Sequence, residues 1–160
     1  SGEVIDFVEL DMPTRNLDTK AVMCTITPEA LQDNGVDPLR IPGALHAAEH
    51  AAIGLLPLVA SCDRGDIGGL STAVGPVAGL PTIFVYDGYP GGAGFADRGF
   101  QQITAWGDAT AAAIEACECP LGCPSCVQSP KCGNGNDPLD KVGAVRVLRL
   151  VLRELERQVK

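Results

Sequence analysis

Residues 117–126 read CECPLGCPSC, so four of the chain's seven cysteines, Cys117, Cys119, Cys123 and Cys126, fall within ten residues. A disulfide between Cys117 and Cys119 is sterically awkward, because bridged Cα atoms sit about 5.5 Å apart in a defined geometry. Clustered thiols with no secretory context read as a metal site in a reducing compartment. Four thiolates close a tetrahedron around Zn²⁺ at about 2.3 Å per bond. The Cys123-x2-Cys126 turn points two sulfurs at one ion, and the tighter Cys117-x-Cys119 pair does the same from an extended segment. Pro120, Gly122 and Pro124 pre-bend the loop and lower the entropy lost on ordering it. A full set of four protein ligands leaves no open position, so the expected site is structural. A [4Fe–4S] cluster also takes four cysteines, but its spacing is C-x2-C-x2-C. Cys132 lies six residues further on, and is either an alternative ligand in place of Cys119 or a free thiol.

Outward from this loop the chain reads as one α/β domain, with a central mixed sheet, flanking helices and a zinc knuckle before a long C-terminal helix. Its 160 residues are enough for one core. Strands are expected at 4–10, 20–27, 70–74 and 82–87. The last (TIFVYD) is almost wholly apolar and reads as buried on both faces, and Cys24 reads as buried in the second. Apolar positions at helical spacing place a helix over 43–60, which Pro57 should kink or end, and the strongest helix over 138–158, with Val142, Val145, Leu148, Val151, Leu152 and Leu155 on its stripe. Helices are also expected at 93–105 and 107–116, and residues 62–69 (CDRGDIGG) read as a turn. Ser1-Gly2 reads as a scar of tag removal.

The net charge of −8 argues against a broad nucleic-acid grip, which needs an excess of Lys and Arg. The one local basic surface is the stripe of Arg146, Arg149, Arg153 and Arg157, whose ordinary reading is a solvated helix face. No apolar run reaches the about 18 residues that a membrane span requires.

A second constellation is His46-Ala47-Ala48-Glu49-His50, an H-x-x-E-H string on a helix that carries the only two histidines. Positions i, i+3 and i+4 share a face, so His46 and His50 could grip a metal with Glu49 as base. That reading, a zinc-dependent hydrolase or nuclease, needs a third ligand, for which Glu115 and Glu118 are the candidates. The plainer reading is a polar patch in which the histidines bond Asp63 or Asp66, or dock on a partner domain. Asp63, Asp66 and Asp87 are a candidate carboxylate cluster for Mg²⁺, although turn capping suits the first two. Gly91-Gly92-Ala93-Gly94 before a helix could cradle a phosphate, but it lacks the Lys-Ser/Thr of a P-loop, and positive φ is the simpler use of its glycines.

Taken in order, the helix from His46 to Ile53, CDRGDIGG (62–69), IFVYDGYPGGAGF (83–95), CECPLGCPSC and SPKCGNGNDPLDK (129–141) resemble the C-terminal zinc-binding domain of MrfA-type DNA repair helicases, including the SftH helicases of mycobacteria and related actinobacteria. The resemblance implies a single accessory domain over 1–160. It implies a parent that is an ATP-dependent, 3′–5′ superfamily 2 DNA helicase in the cytoplasm, with ATP and Mg²⁺ bound only in RecA-like core domains absent here. The partners it implies are that core, and DNA through the full-length protein, with no membrane. It carries the four-cysteine ligand set onto Cys117, Cys119, Cys123 and Cys126, and makes this domain itself non-catalytic: no Walker A lysine or DEAH-type box occurs in the sequence.

Overall fold

The computed structural model describes residues 3–12, 17–130 and 132–159; the Ser1-Gly2 reading lies outside them. Strand β1 (Glu3–Met12) pairs with β2 (Leu17–Ile26), and two further strands, β3 (Ile67–Thr72) and β4 (Thr82–Asp87), complete a sheet of order β1-β2-β4-β3. Every pairing is antiparallel, so the expected mixed sheet is corrected. The reason is connectivity: only four residues separate β1 from β2 and nine separate β3 from β4, too few for a crossover helix, and β4 inserts beside β2.

Alternation along the strands sorts side chains to two faces. Val22, Ile26, Ile83 and Val85 face the helices and form the main core, while Ala21, Met23, Phe84 and Tyr86 make a smaller apolar cluster with Val8, Leu10 and Leu17. All six residues of β4 are buried, as its apolar run predicts. Cys24 is only half-buried. β3 begins three residues before the expected strand because Gly68 and Gly69 are strand residues and not turn residues. A Cβ at Gly68 would collide with the Tyr86 ring, and one at Gly69 would meet Glu49 Oε2 at 2.5 Å. The glycines there allow close approach.

Helix α1 (Pro28–Asp33) is short and capped by Thr27, whose Oγ1 accepts from Ala30 N at 3.1 Å. Helix α2 (Ile41–Leu55) is the centre of the domain, packed against β3, β4, α4 and α5. Its alanines keep it thin enough to be enclosed, and residues 43–51 are all buried. Pro57 follows in a single 3₁₀ turn, as expected of a helix terminator. Helices α3 (Phe95–Gln101) and α4 (Ile103–Ala116) meet at Gln102, so α4 starts four residues earlier than expected and includes Trp106.

Helix α5 (Lys141–Val159) lies across α2 and α4. Its buried stripe runs through Ala144, Val147, Leu148, Val151 and Leu152, whereas Val142 is 53% exposed. Val142 precedes Val151 by nine residues, which is half a turn out of phase at 3.6 residues per turn. Gly143 permits the α2–α5 crossing, since a Cβ there would meet Ala44 Cβ at 2.7 Å. The arginine stripe is committed within the domain: Arg146 donates to Gly35 O, Arg149 pairs with Asp108 and Glu115, Arg153 bonds Asn34, and Arg157 pairs with Glu154.

Candidate metal centre

Helix α4 ends at Ala116, and Cys117 leaves it with an extended backbone (φ −76°, ψ 125°). That change of direction turns the loop back beneath the first turn of α5. The sulfurs of Cys117, Cys119, Cys123 and Cys126 all lie within 4.8 Å of one another. The recorded spacings are 3.6 Å (117–119), 3.5 Å (117–123), 3.5 Å (119–126) and 3.9 Å (123–126). A tetrahedral ion with Zn–S bonds of about 2.3 Å sets its sulfurs about 3.8 Å apart. The four side chains therefore fit a closed zinc site, and four soft thiolates select zinc over hard, oxygen-seeking cations.

Lys141, the first residue of α5, fastens the loop. Its Nζ donates to Cys117 O at 2.7 Å, to Cys119 O at 2.5 Å and to Cys119 Sγ at 3.2 Å. Desolvation works against the Cys119 thiolate, but hydrogen bonds from Lys141 and the neighbouring thiols outweigh it and bring the group down to about 6. Desolvation pushes Cys126 up to about 12. One member of the set is thus readily ionised, and its charge faces a lysine.

The H-x-x-E-H string lies on α2, all three side chains buried. The expected bonds from the histidines to Asp63 or Asp66 are not made. His46 Nδ1 meets Pro138 O at 2.8 Å and His50 Nδ1 meets Val127 O at 2.8 Å, so the helix holds the segment between the cysteines and α5. Cys132 is placed with the histidines rather than with the four sulfurs: its Sγ lies 3.5 Å from His46 Nε2. Burial pushes Glu49 up to about 7, with a hydrogen bond to Ser71 acting the other way. Burial, joined by His46 and Arg64, holds His50 below its ordinary value. Glu115 is drawn to Arg149, away from the histidines.

The three aspartates do not form a shared cation site among the described residues. Asp66 caps its turn, accepting from Asp63 N at 2.9 Å and from Tyr89 OH. Asp87 is fully buried. It accepts from Ala93 N at 2.7 Å, Gly94 N at 3.1 Å and Ala96 N at 2.8 Å. Gly91, Gly92 and Gly94 do adopt positive φ. The backbone nest they build is filled by the protein's own carboxylate, which removes the phosphate-cradle reading.

A family model for the MrfA Zn-binding domain matches residues 48–127, a span that contains the four clustered cysteines. The chain belongs to the MrfA Zn-binding domain family. Zinc is accordingly the structural cofactor of this MrfA-type domain. An ATP-dependent helicase of Bacillus subtilis (strain 168), YprA, is 34% identical over 120 residues; the match covers 74% of this chain and 15% of that protein. Protein MJ1572.1 of Methanocaldococcus jannaschii is 34% identical over 111 residues, covering 68% of this chain and 99% of that one. The crystal structure of the DUF1998 helicase MrfA bound to DNA matches with a TM-score of 0.67 at 29% identity, over 84% of this chain and 17% of that chain. The MrfA-type domain thus spans about a sixth of its helicase relatives and nearly all of the archaeal one.

Sequence reasoning found the four cysteines because their ligands are local. It missed the partners of His46 and His50, which come from residues 92 and 77 positions away. The available signal was one of type: Cys132 is one of three cysteines outside the four-thiol cluster, and a thiol is a better zinc-class partner for two histidines than the glutamates Glu115 and Glu118.

Proposed function

We propose that this domain is the non-catalytic, C-terminal zinc module of an ATP-dependent 3′–5′ superfamily 2 DNA repair helicase, in which Cys117, Cys119, Cys123 and Cys126 hold the ion. It braces the helicase core of the same parent chain and helps shape the path of the DNA. ATP and Mg²⁺ belong to that core. The observation that carries the reading is the four-sulfur arrangement anchored by Lys141, which ties the end of α4 to the start of α5 and leaves no coordination position for a substrate. The likeness to helicase chains supports the parent activity, and four free thiols suit a reducing cytoplasm.

A bracing role also agrees with the surface. The net charge is −8, and all four arginines of the α5 stripe have partners within the domain. Such a domain should not grip phosphates by itself. The test is titration of this chain with labelled single-stranded DNA at low and moderate salt. No salt-sensitive complex is expected, whereas the full-length helicase should lose unwinding when Cys123→Ser and Cys126→Ser are introduced together. A tight, salt-sensitive complex with the isolated chain overturns bracing in favour of direct DNA binding.

A further inference from the structure

We infer that His46, His50 and Cys132 form a second metal site, separate from the four-cysteine cluster, that takes a zinc-class divalent ion and keeps one coordination position open to a cleft. This goes beyond the helicase reading and does not depend on it.

The protonation of the two imidazoles follows from their partners. A carbonyl oxygen only accepts, so the contacts to Pro138 O and Val127 O require a proton on each Nδ1. In the neutral ring, each Nε2 then carries a lone pair. A second ring nitrogen donating to a backbone carbonyl is the arrangement found at metal-bound histidines, where it fixes both tautomer and orientation.

Protein donors among the described residues do not serve both of these atoms. The rings stand 4.2 Å apart, centroid to centroid, and both residues are buried. Among the described residues, the Cys132 thiol is the one donor within reach of His46 Nε2, and none is recorded for His50 Nε2. One proton cannot serve two acceptors. A cation at the meeting point satisfies all three groups at once.

The spacing fits. Ligand atoms of the three residues lie within 4.8 Å of one another, and Cys132 Sγ is 3.5 Å from His46 Nε2. Tetrahedral zinc with bonds of about 2.0–2.1 Å to nitrogen and about 2.3 Å to sulfur sets that pair about 3.6 Å apart. Two imidazoles and a thiolate suit zinc far better than magnesium or calcium.

The surroundings differ from those of the four-cysteine cluster. His46, His50 and Cys132 line a cleft of about 510 Å³ that also takes in Glu49, Arg64 and Ser71. Glu49 turns toward β3, where its carboxylate approaches Gly69, and does not join the ligand group. Three protein ligands then leave a fourth position for water or a small anion from the cleft. That is the open arrangement, in contrast to the closed Cys₄ set.

The test is zinc content per chain by plasma mass spectrometry on protein purified with zinc present. Two ions are expected in the wild type. One is expected in Cys132→Ala and in His50→Ala, each checked for an unchanged far-ultraviolet circular dichroism spectrum. Should a variant fail to fold, alkylation of the wild type decides: Cys132 should be protected by zinc and become reactive when a chelator is added. With cobalt in place of zinc, added azide should perturb the visible spectrum of the wild type but not of Cys132→Ala. One zinc per wild-type chain, two retained in Cys132→Ala, or Cys132 alkylated equally with and without zinc would each overturn the second site.

Discussion

Replacement of Asp87 probes how the glycine-rich bend is held. The carboxylate is fully buried at the end of β4 and accepts three backbone N–H groups, two on Oδ2 and one on Oδ1. Asp87→Ala strands three donors at the start of α3, and an unmet buried donor costs about 1–3 kcal/mol. The costs do not add fully, because the loop relaxes and water enters, so the expected loss is about 3–5 kcal/mol. A domain of this size holds about 5–15 kcal/mol in total, so that loss is about a fifth of its stability or more. Asp87→Asn separates charge from geometry. Its amide oxygen can replace only one carboxylate oxygen, and its NH₂ then faces an N–H, so about 1–3 kcal/mol should be lost. The assay is urea unfolding followed by circular dichroism in zinc-containing buffer, with the half-buried Asp97→Asn, whose carboxylate accepts, among the described residues, from one side chain only, at 3.5 Å, as control. The midpoint should fall in the order Asp97→Asn, Asp87→Asn, Asp87→Ala, at constant m. An Asp87→Ala midpoint equal to that of the control would refute the reasoning.

Lys141→Met keeps the length of the side chain but removes the donor to two carbonyls and to Cys119 Sγ. Partners that hydrogen-bond metal ligands are worth 10–100-fold in affinity, so zinc competition with a chelator should show binding weaker by about tenfold. Trp106→Phe loses the Nε1 bond to Ala52 O at 2.8 Å, but that carbonyl also accepts from Leu56 N. The expected loss is about 1–2 kcal/mol in denaturant unfolding, from the bond and the lost ring volume. Arg149→Ala removes pairs to Asp108 and Glu115 that are partly exposed, so it should cost under about 1 kcal/mol, and less still in high salt.

The elements that were plain in the sequence are those governed by local pattern. The TIFVYD run could only be a buried strand, the α2 and α5 periodicities gave their helices, and the cysteine spacing gave the metal cluster. What stayed hidden depends on contacts distant in sequence. Gly68 and Gly69 look like turn residues until Tyr86 and Glu49 are packed against them. Val142 belongs to the helical repeat by residue type, but the phase of α5 against α2 and α4 leaves it outside. The sheet is antiparallel because β4 returns between β2 and β3, a choice no single strand encodes. The same limit hid the company that Cys132 keeps: its place beside His46 is decided by where the 127–140 segment crosses α2, not by its nearness in sequence to Cys126.

The most direct measurement is a crystal structure of this chain with anomalous data collected on both sides of the zinc absorption edge. An anomalous peak is predicted about 2.3 Å from each of the four sulfurs of Cys117, Cys119, Cys123 and Cys126. No peak among those sulfurs, or a disulfide joining any two of them, would contradict the four-cysteine zinc clamp.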